Sequence, residues 1–339
     1  MGELEKIINE INRQYPGSVM RLGKCAYTKK KRVSTGSFAL NMATGGGIPE
    51  GSIIEIFGPL SSGKTFSTLK LVAEVQKLGR DAAYIDLENL DLDWAKKLGV
   101  DIDKLIFSQP SSAEQVVNTV DKLIRTRELG IIVIDSIASM APLVEIETEA
   151  EDQQMGVAAR LNNKMIRKVR SALQPKDLGD KESHNKCIAV FINQIRMKIG
   201  GYGNPEITPG GKGLGFASDI RIRLNRKEWI QEGTGVNKKT VGQVTAFKTV
   251  KNKTYEPFRV GTFNIYFRDG SVDNYASIIQ YGIFYEYIKR AGAIYTFEKK
   301  KFKGKAKLIE YLKTNPKIVH KLKTDVKKTL FRGAENESS

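Results

Sequence analysis

Ile53-Ile54-Glu55-Ile56-Phe57-Gly58-Pro59-Leu60-Ser61-Ser62-Gly63-Lys64-Thr65-Phe66 is the stretch that decides the fold. An apolar run empties into a Gly-x-x-x-x-Gly-Lys-Thr turn. A helical pattern follows to Leu78, with Phe66, Leu69, Val72 and Ala73 on its buried face and Gly79 as its stop. Gly58 and Gly63 let backbone N–H groups turn inward around a phosphate without a Cβ in the way, and Pro59, Leu60, Ser61 and Ser62 complete that cradle. Lys64 can reach the β- and γ-phosphates, and the Thr65 hydroxyl can hold Mg²⁺. The helix opening at Phe66 points its partial positive charge at the same anion. A chance Gly-Ser turn is the bland alternative, but every fixed position matches, with strand and helix on the correct sides. The pattern implies a bound nucleoside triphosphate.

At 339 residues the chain exceeds the ~250 to 300 residues that one core usually reaches, so a large α/β core with something smaller is expected. No apolar run approaches the roughly 20 residues of a membrane span, and MGELEKIINEI is amphipathic, unlike a secretory signal. A cytosolic protein with no membrane partner is expected. Cys25 and Cys187 lie far apart without metal-ligand spacing, and His184 sits by a polar loop. Fifty-five Lys and Arg against 38 Asp and Glu give a net charge of +17. Between Tyr295 and Gly333 stand thirteen Lys or Arg against three acids. A solvated surface would account for some of this, but the asymmetry favours a polyanionic partner, nucleic acid first.

Residues 3 to 13 read as a short helix ahead of the domain, too short to be stable alone. Asp81 to Asp86 is a second buried strand, with Glu88 just past its end, where open α/β sheets place their ligands. A carboxylate there can orient an attacking water, although an acid after a strand is more often a cap. Asp91 to Leu98 starts a helix with Trp94 early in it; Leu105 to Phe107 is a short strand; Ala113 to Arg127 is an amphipathic helix. Ile131 to Ile134 then runs into Asp135-Ser136, the pattern of a Walker B strand, whose Asp can bind water of the Mg²⁺ shell beside Thr65. Acidic Glu145 to Gln154 precedes a basic amphipathic helix carrying Arg160, Lys164, Arg167, Lys168 and Arg170. Cys187 to Ile192 is another buried strand. A segment with seven glycines and two prolines, Gly200 to Gly215, follows it, flanked by Arg196, Lys198 and Lys212. Strands are expected again at Asp219 to Leu224, Val241 to Val250 and Phe263 to Phe267, and short helices from Tyr275 to His320.

This order of motifs resembles the bacterial RecA recombinase family over nearly the whole chain. The most specific pieces are STGS (34 to 37), EIFGPLSSGKT (55 to 65), KLGVDIDKLIFSQP (97 to 110), VIDSIA (133 to 138), MGVAAR (155 to 160), FINQIRMKIG (191 to 200), GNPE (203 to 206) and VKNK (250 to 253). The resemblance implies an α/β fold: a RecA-type P-loop ATPase core with a mostly parallel twisted sheet at 33–270, an oligomerisation arm at 1–32, a small basic α/β DNA-gathering domain at 271–333 and a disordered tail at 334–339. It implies ATP and Mg²⁺ as cofactors. Single-stranded and double-stranded DNA are the implied partners, with a head-to-tail helical filament of identical chains.

By the resemblance, Lys64, Thr65 and Asp135 match the phosphate and Mg²⁺ groups, and Glu88 the water-activating glutamate. Asp91 and Trp94 fall where the family contacts adenine. Gln194 matches the γ-phosphate sensor, and Lys251 and Lys253 match lysines that reach a neighbour's ATP. The two DNA loops map to about 147–155 and 195–209. Met155 and Ile199 correspond to apolar wedges between base triplets; Arg160, Asn163, Arg167, Arg196, Gly210 and Gly211 correspond to backbone contacts, beside Lys198 and Lys212. The chain also departs from the family. Thr148 and Glu151 replace glycines of the first loop, the 174–186 loop is longer, the acidic C-terminal tail is nearly absent, and 229–244 diverges. The divergence hints at a phage or plasmid copy. A hexameric helicase motor, or a strand-coating scaffold or coprotease that ATP only holds together, are the rival readings.

Overall fold

The computed structural model describes residues 2–21, 30–147, 156–197 and 206–336. Among these, nine strands form one central sheet: β1 (Ile53–Gly58), β2 (Asp81–Asp86), β3 (Leu105–Ser108), β4 (Leu129–Asp135), β5 (Ile188–Gln194), β6 (Ile220–Glu232), β7 (Lys239–Asn252), β8 (Val260–Tyr266) and β9 (Val272–Asp273). Their order is β9-β8-β7-β6-β1-β5-β4-β2-β3. From β6 to β3 neighbours run parallel; β7, β8 and β9 extend the sheet antiparallel. The strand of the phosphate loop is therefore central.

Both faces of the parallel part are covered by helices, which is why its strands read as unbroken apolar runs. Ile54, Tyr84, Val133 and Val190 share one buried cluster with Leu69 and Val72 of α3 (Lys64–Gln76). Their neighbours Ile53, Ile85, Ile132 and Ile134 pack on the other face. There they meet Val116 and Val120 of α5 (Ala113–Thr126), and Met165 and Val169 of α7 (Val157–Leu173). Cys187 belongs to this second cluster at 0% exposure, and burial pushes its thiol pKa well up, so it is a core residue.

The remaining helices are α1 (Glu3–Gln14), α2 (Phe38–Ala43), α4 (Leu92–Lys97), α6 (Leu143–Glu147), α8 (Gly213–Ala217), α9 (Asn274–Phe284), α10 (Lys305–Thr314) and α11 (Pro316–Asn336). A smaller unit of α9, α10, α11 and the ribbon β10 (Lys289–Ala291), β11 (Ile294–Phe297) and β12 (Lys300–Lys303) has its own core. Ile279, Tyr295, Phe297, Leu308, Leu312, Leu322 and Val326 fill it, and Phe38 and Met42 of α2 join it to the larger body.

Two features exceed the sequence expectation. β6 and β7 run on together as a long hairpin, pairing Trp229 with Gln243 and Glu232 with Lys239, and its tip extends past the last residue of β8. Most residues beyond Leu224 on β6 are polar or charged, so no alternation of buried side chains marks them. The β10–β12 ribbon was hidden for the same reason, since only Tyr295 and Phe297 of its eleven residues are buried.

Helix α1 buries none of its residues, and Leu4 and Ile7 are exposed. Its root is nevertheless held. Asn12 brackets Val19 with two hydrogen bonds, and the Leu178 N–H donates to the Gly17 carbonyl at 3.0 Å. The longer loop after α7 is itself pinned: Arg127 donates to the carbonyls of Gln174 and Ser183, and Asn185 donates to those of Ile124 and Ala172. No helix among the described residues is long and apolar enough to cross a membrane.

Candidate nucleotide and nucleic-acid site

The phosphate loop joins β1 to α3. Gly63 needs its glycine for conformation, with φ of 91°. Gly58 needs it for space: a Cβ there would stand 2.2 Å from the Leu224 carbonyl of β6. The second reason is a strand-packing one that the motif alone does not reveal. Ser61 also adopts positive φ, Leu60 is 86% exposed, and the buried Ser62 hydroxyl has no described partner. Lys64 is buried and donates to the carbonyls of Gly58 at 3.1 Å and Pro59 at 2.8 Å. Burial lowers its pKa, against the raising effect of Glu88 and Asp135.

At the end of β4, Asp135 Oδ2 accepts from Thr65 Oγ1 at 3.0 Å and from the Tyr84 hydroxyl at 2.7 Å. Its Oδ1 is buried without a hydrogen bond among the described residues. Burial pushes the Asp135 pKa up to about 6, with Glu88 and Asp86 adding to the rise, although the Tyr84 and Thr65 hydrogen bonds pull it down. An orphaned carboxylate oxygen beside a threonine hydroxyl is a hard, oxygen-rich donor set of the kind Mg²⁺ takes, usually through retained water. The residues present fit that ion.

Glu88 follows β2. Its Oε1 accepts from Gln194 Nε2 at 2.9 Å, from Ser139 Oγ at 3.3 Å and from Ser136 Oγ. The loop carrying it is fixed by Asp86, whose carboxylate accepts from the N–H groups of Glu88 and Leu90 and from Gln109 Nε2. Gly58 and Gln194 are paired across β1 and β5, so the carboxyl ends of four neighbouring strands bring Gly58, Glu88, Asp135 and Gln194 together. That is where a ligand binds in an open α/β sheet.

Family models match the chain along almost its whole length: the RecA N-terminal domain over residues 2–272 and the RecA C-terminal domain over 276–330. The chain belongs to the RecA family. It is 40% identical over 341 residues to Protein RecA of Streptomyces venezuelae, covering 99% of this chain and 86% of that one. It is 41% identical over 337 residues to Protein RecA of Saccharopolyspora erythraea, covering 98% and 93%, and 38% identical over 341 residues to that of Acinetobacter baylyi, covering 99% and 94%. RecA proteins are DNA-dependent ATPases of recombination and repair, and this chain is one of them.

Against that RecA frame, the residues expected to meet nucleic acid fall into two groups. Arg160, Lys164 and Arg167 are exposed along α7. Gly210, Gly211 and Lys212 lie against the same helix: a Cβ on Gly210 would meet Asn162 Nδ2 at 2.9 Å, and one on Gly213 would meet Asn163 Oδ1 at 1.9 Å. Lys168 and Arg170, on the same helix, are instead ion-paired with Asp121 and Asp219. Arg196 is exposed in a short ribbon with Ile207, whose neighbour Glu206 is gripped by Arg223. Met155, Lys198 and Ile199 lie outside the described residues.

Asp91 caps α4 by accepting from the Trp94 N–H, and Lys97 lies 5.5 Å from the centre of the Trp94 ring. Lys251 and Lys253 sit away from their own phosphate loop. Arg221 of β6 pairs with both Glu55 and Lys251, which puts Lys251, two strands across the sheet from β1, level with Glu55 and so three residues, or about 10 Å, back along the strand direction from Gly58. Its Nζ donates to the carbonyls of Gly215 and Phe216, and Lys253 is 3.7 Å from Asp219.

Sequence reasoning missed Tyr84, Asp86, Asn193 and Ser139. Asn193 Nδ2 donates to Glu55 at 3.2 Å and to the Pro209 carbonyl at 3.1 Å, tying Pro209 to the sheet. Only their position beside recognised motifs could have flagged them.

Proposed function

We propose that this RecA protein polymerises head to tail on single-stranded DNA with ATP and Mg²⁺, and pairs that strand with homologous duplex. The observation that carries this reading is the 2.9 Å hydrogen bond from Gln194 to Glu88, between the root of the second DNA loop and the carboxylate at the nucleotide site.

In this reading Lys64 leaves the Gly58 and Pro59 carbonyls for the β- and γ-phosphates, with the N–H groups of Ser61 to Thr65 around them. Thr65, and Asp135 through water, would hold Mg²⁺, which would supply neutralisation of phosphate charge when bound. Glu88 orients water and takes its proton, and Asp86 and Ser136 keep the carboxylate aimed. Asp91 and Trp94 hold the adenine, Trp94 by its ring face. Gln194, freed from Glu88 when it meets the γ-phosphate, shifts the loop that begins at Ile195. Lys251 and Lys253, too far from their own site, complete the site of the next chain, so turnover depends on assembly. Leu4 and Ile7 of α1 supply the apolar face that another copy covers. Arg160, Asn163, Arg167, Arg196, Gly210, Gly211 and Lys212 follow the DNA backbone, with Lys198, and with Met155 and Ile199 between bases.

The deciding experiment is ATP hydrolysis with and without single-stranded DNA, over a salt series, for the wild type and Glu88→Gln. Strong stimulation by DNA, lost in the variant, with binding that falls steeply as salt rises, supports the reading. Hydrolysis indifferent to DNA sinks it.

A further inference from the structure

Tyr84 occupies the middle of β2 at 0% exposure, between Ala83 and Ile85 and in register with Val133 of β4. The buried strands of a parallel sheet favour wholly apolar side chains, and a phenol placed among them must find a partner for its hydroxyl. The partner is Asp135 Oδ2, at 2.7 Å.

A carboxylate turns easily about its last side-chain bond and offers roughly four acceptor directions. Here two donors from different elements hold the same oxygen, Thr65 from α3 and Tyr84 from β2. The other oxygen, Oδ1, is buried and makes no hydrogen bond among the described residues. The Thr65 proton on Asp135 leaves the Thr65 oxygen lone pairs available to a metal. Thr65 alone, at the start of a helix, gives one point of attachment and leaves the carboxylate free to swing about it. Tyr84 supplies the second.

We propose that Tyr84 is a positioning residue for the nucleotide's Mg²⁺: its hydroxyl locks the Asp135 carboxylate so that Oδ1 faces the hydration shell of the ion. The inference rests on the Mg²⁺–nucleotide reading above and adds to it a residue outside the phosphate-loop and Walker B motifs.

The test is Tyr84→Phe, which keeps the ring and its packing and removes only the hydroxyl. Binding of a fluorescent ADP to the full-length chain is titrated with Mg²⁺, with no turnover involved, and melting of the nucleotide-free chain is followed in parallel. The half-saturating Mg²⁺ concentration is expected to rise about three- to tenfold, the scale of one ordinary hydrogen bond lost, while ADP affinity at saturating Mg²⁺ matches the wild type. An unchanged half-saturating Mg²⁺ concentration, whatever the melting temperature does, means the phenol only fills the core and overturns the inference. Wild-type ADP binding that ignores Mg²⁺ altogether removes the reading beneath it, a result distinct from the first because it appears before any substitution is made.

Discussion

Gly58, the first residue of the Gly-x-x-x-x-Gly-Lys-Thr turn, pairs across the sheet with Gln194, the residue just before the segment proposed above as the second DNA loop. One ladder position therefore joins the phosphate-loop turn to the start of that segment, and the Gln194 side chain adds a second link by donating to Glu88. Gln194→Ala is expected to bind ATP as the wild type does, yet lose at least tenfold of the stimulation of hydrolysis by single-stranded DNA. Nucleotide titration beside turnover with and without DNA measures both halves of this.

Because Lys251 lies two strands from β1, level with Glu55 rather than with the phosphate loop, and Lys253 just follows it, each site should need two chains. Replacing both by Ala is expected to lower turnover by about 100-fold or more, the scale of a lost charge-stabilising donor, with ATP binding retained. Mixing that variant with Lys64→Ala chains should restore turnover that neither shows alone. Mixtures as inactive as their components would mean the lysines act elsewhere.

Glu55 is fully buried and held by Arg221 at 2.5 Å and by Asn193. Arg221→Met leaves that carboxylate without its cation. Removing one partner of a buried pair costs about 3 kcal/mol or more, so the urea midpoint should fall markedly, and protection of the Pro209 region from hydrogen exchange should fall with it.

Asp121 of α5 pairs with Arg125 on its own helix and bridges to α7 through Lys168. Burial alone raises its pKa, but the hydrogen bonds from Lys168 and Arg125 outweigh it, and the carboxyl lies below its usual range. A lowered folded value means the contribution is full above the unfolded value of about 4 and is lost as pH falls through the folded value. The wild type should therefore exceed Asp121→Asn in stability by a constant margin at neutral pH, a margin that shrinks below about pH 4. Thermal melts over pH test the sign.

Gly17 has φ of 68°, and a Cβ there would stand 2.1 Å from Asp177 Oδ1. Gly17→Ala is expected to separate the arm root from the 174–186 loop. Faster hydrogen exchange at the Leu178 amide is the readout, and unchanged exchange would show that the contact holds nothing.

The sequence by itself determined the parts whose residues carry a local pattern. Gly58 to Thr65 with its flanking strand and helix marked the candidate nucleotide site, Ile131 to Asp135 the strand that ends beside it, and the order of motifs the mostly parallel core and the family. These were legible because turn geometry, apolar runs and helical spacing are written over neighbouring positions. Tertiary structure alone decided which distant residues meet. It put Leu224 against Gly58, Tyr84 against Asp135, Gln194 against Glu88 and Asn193 against Pro209. It also extended β6 and β7 into a hairpin with little buried periodicity to announce it, and set Lys251 away from the phosphate loop of its own chain. Strand order and register make those contacts, and both follow from how helices cover the two faces of a whole sheet, a property no short window of sequence contains.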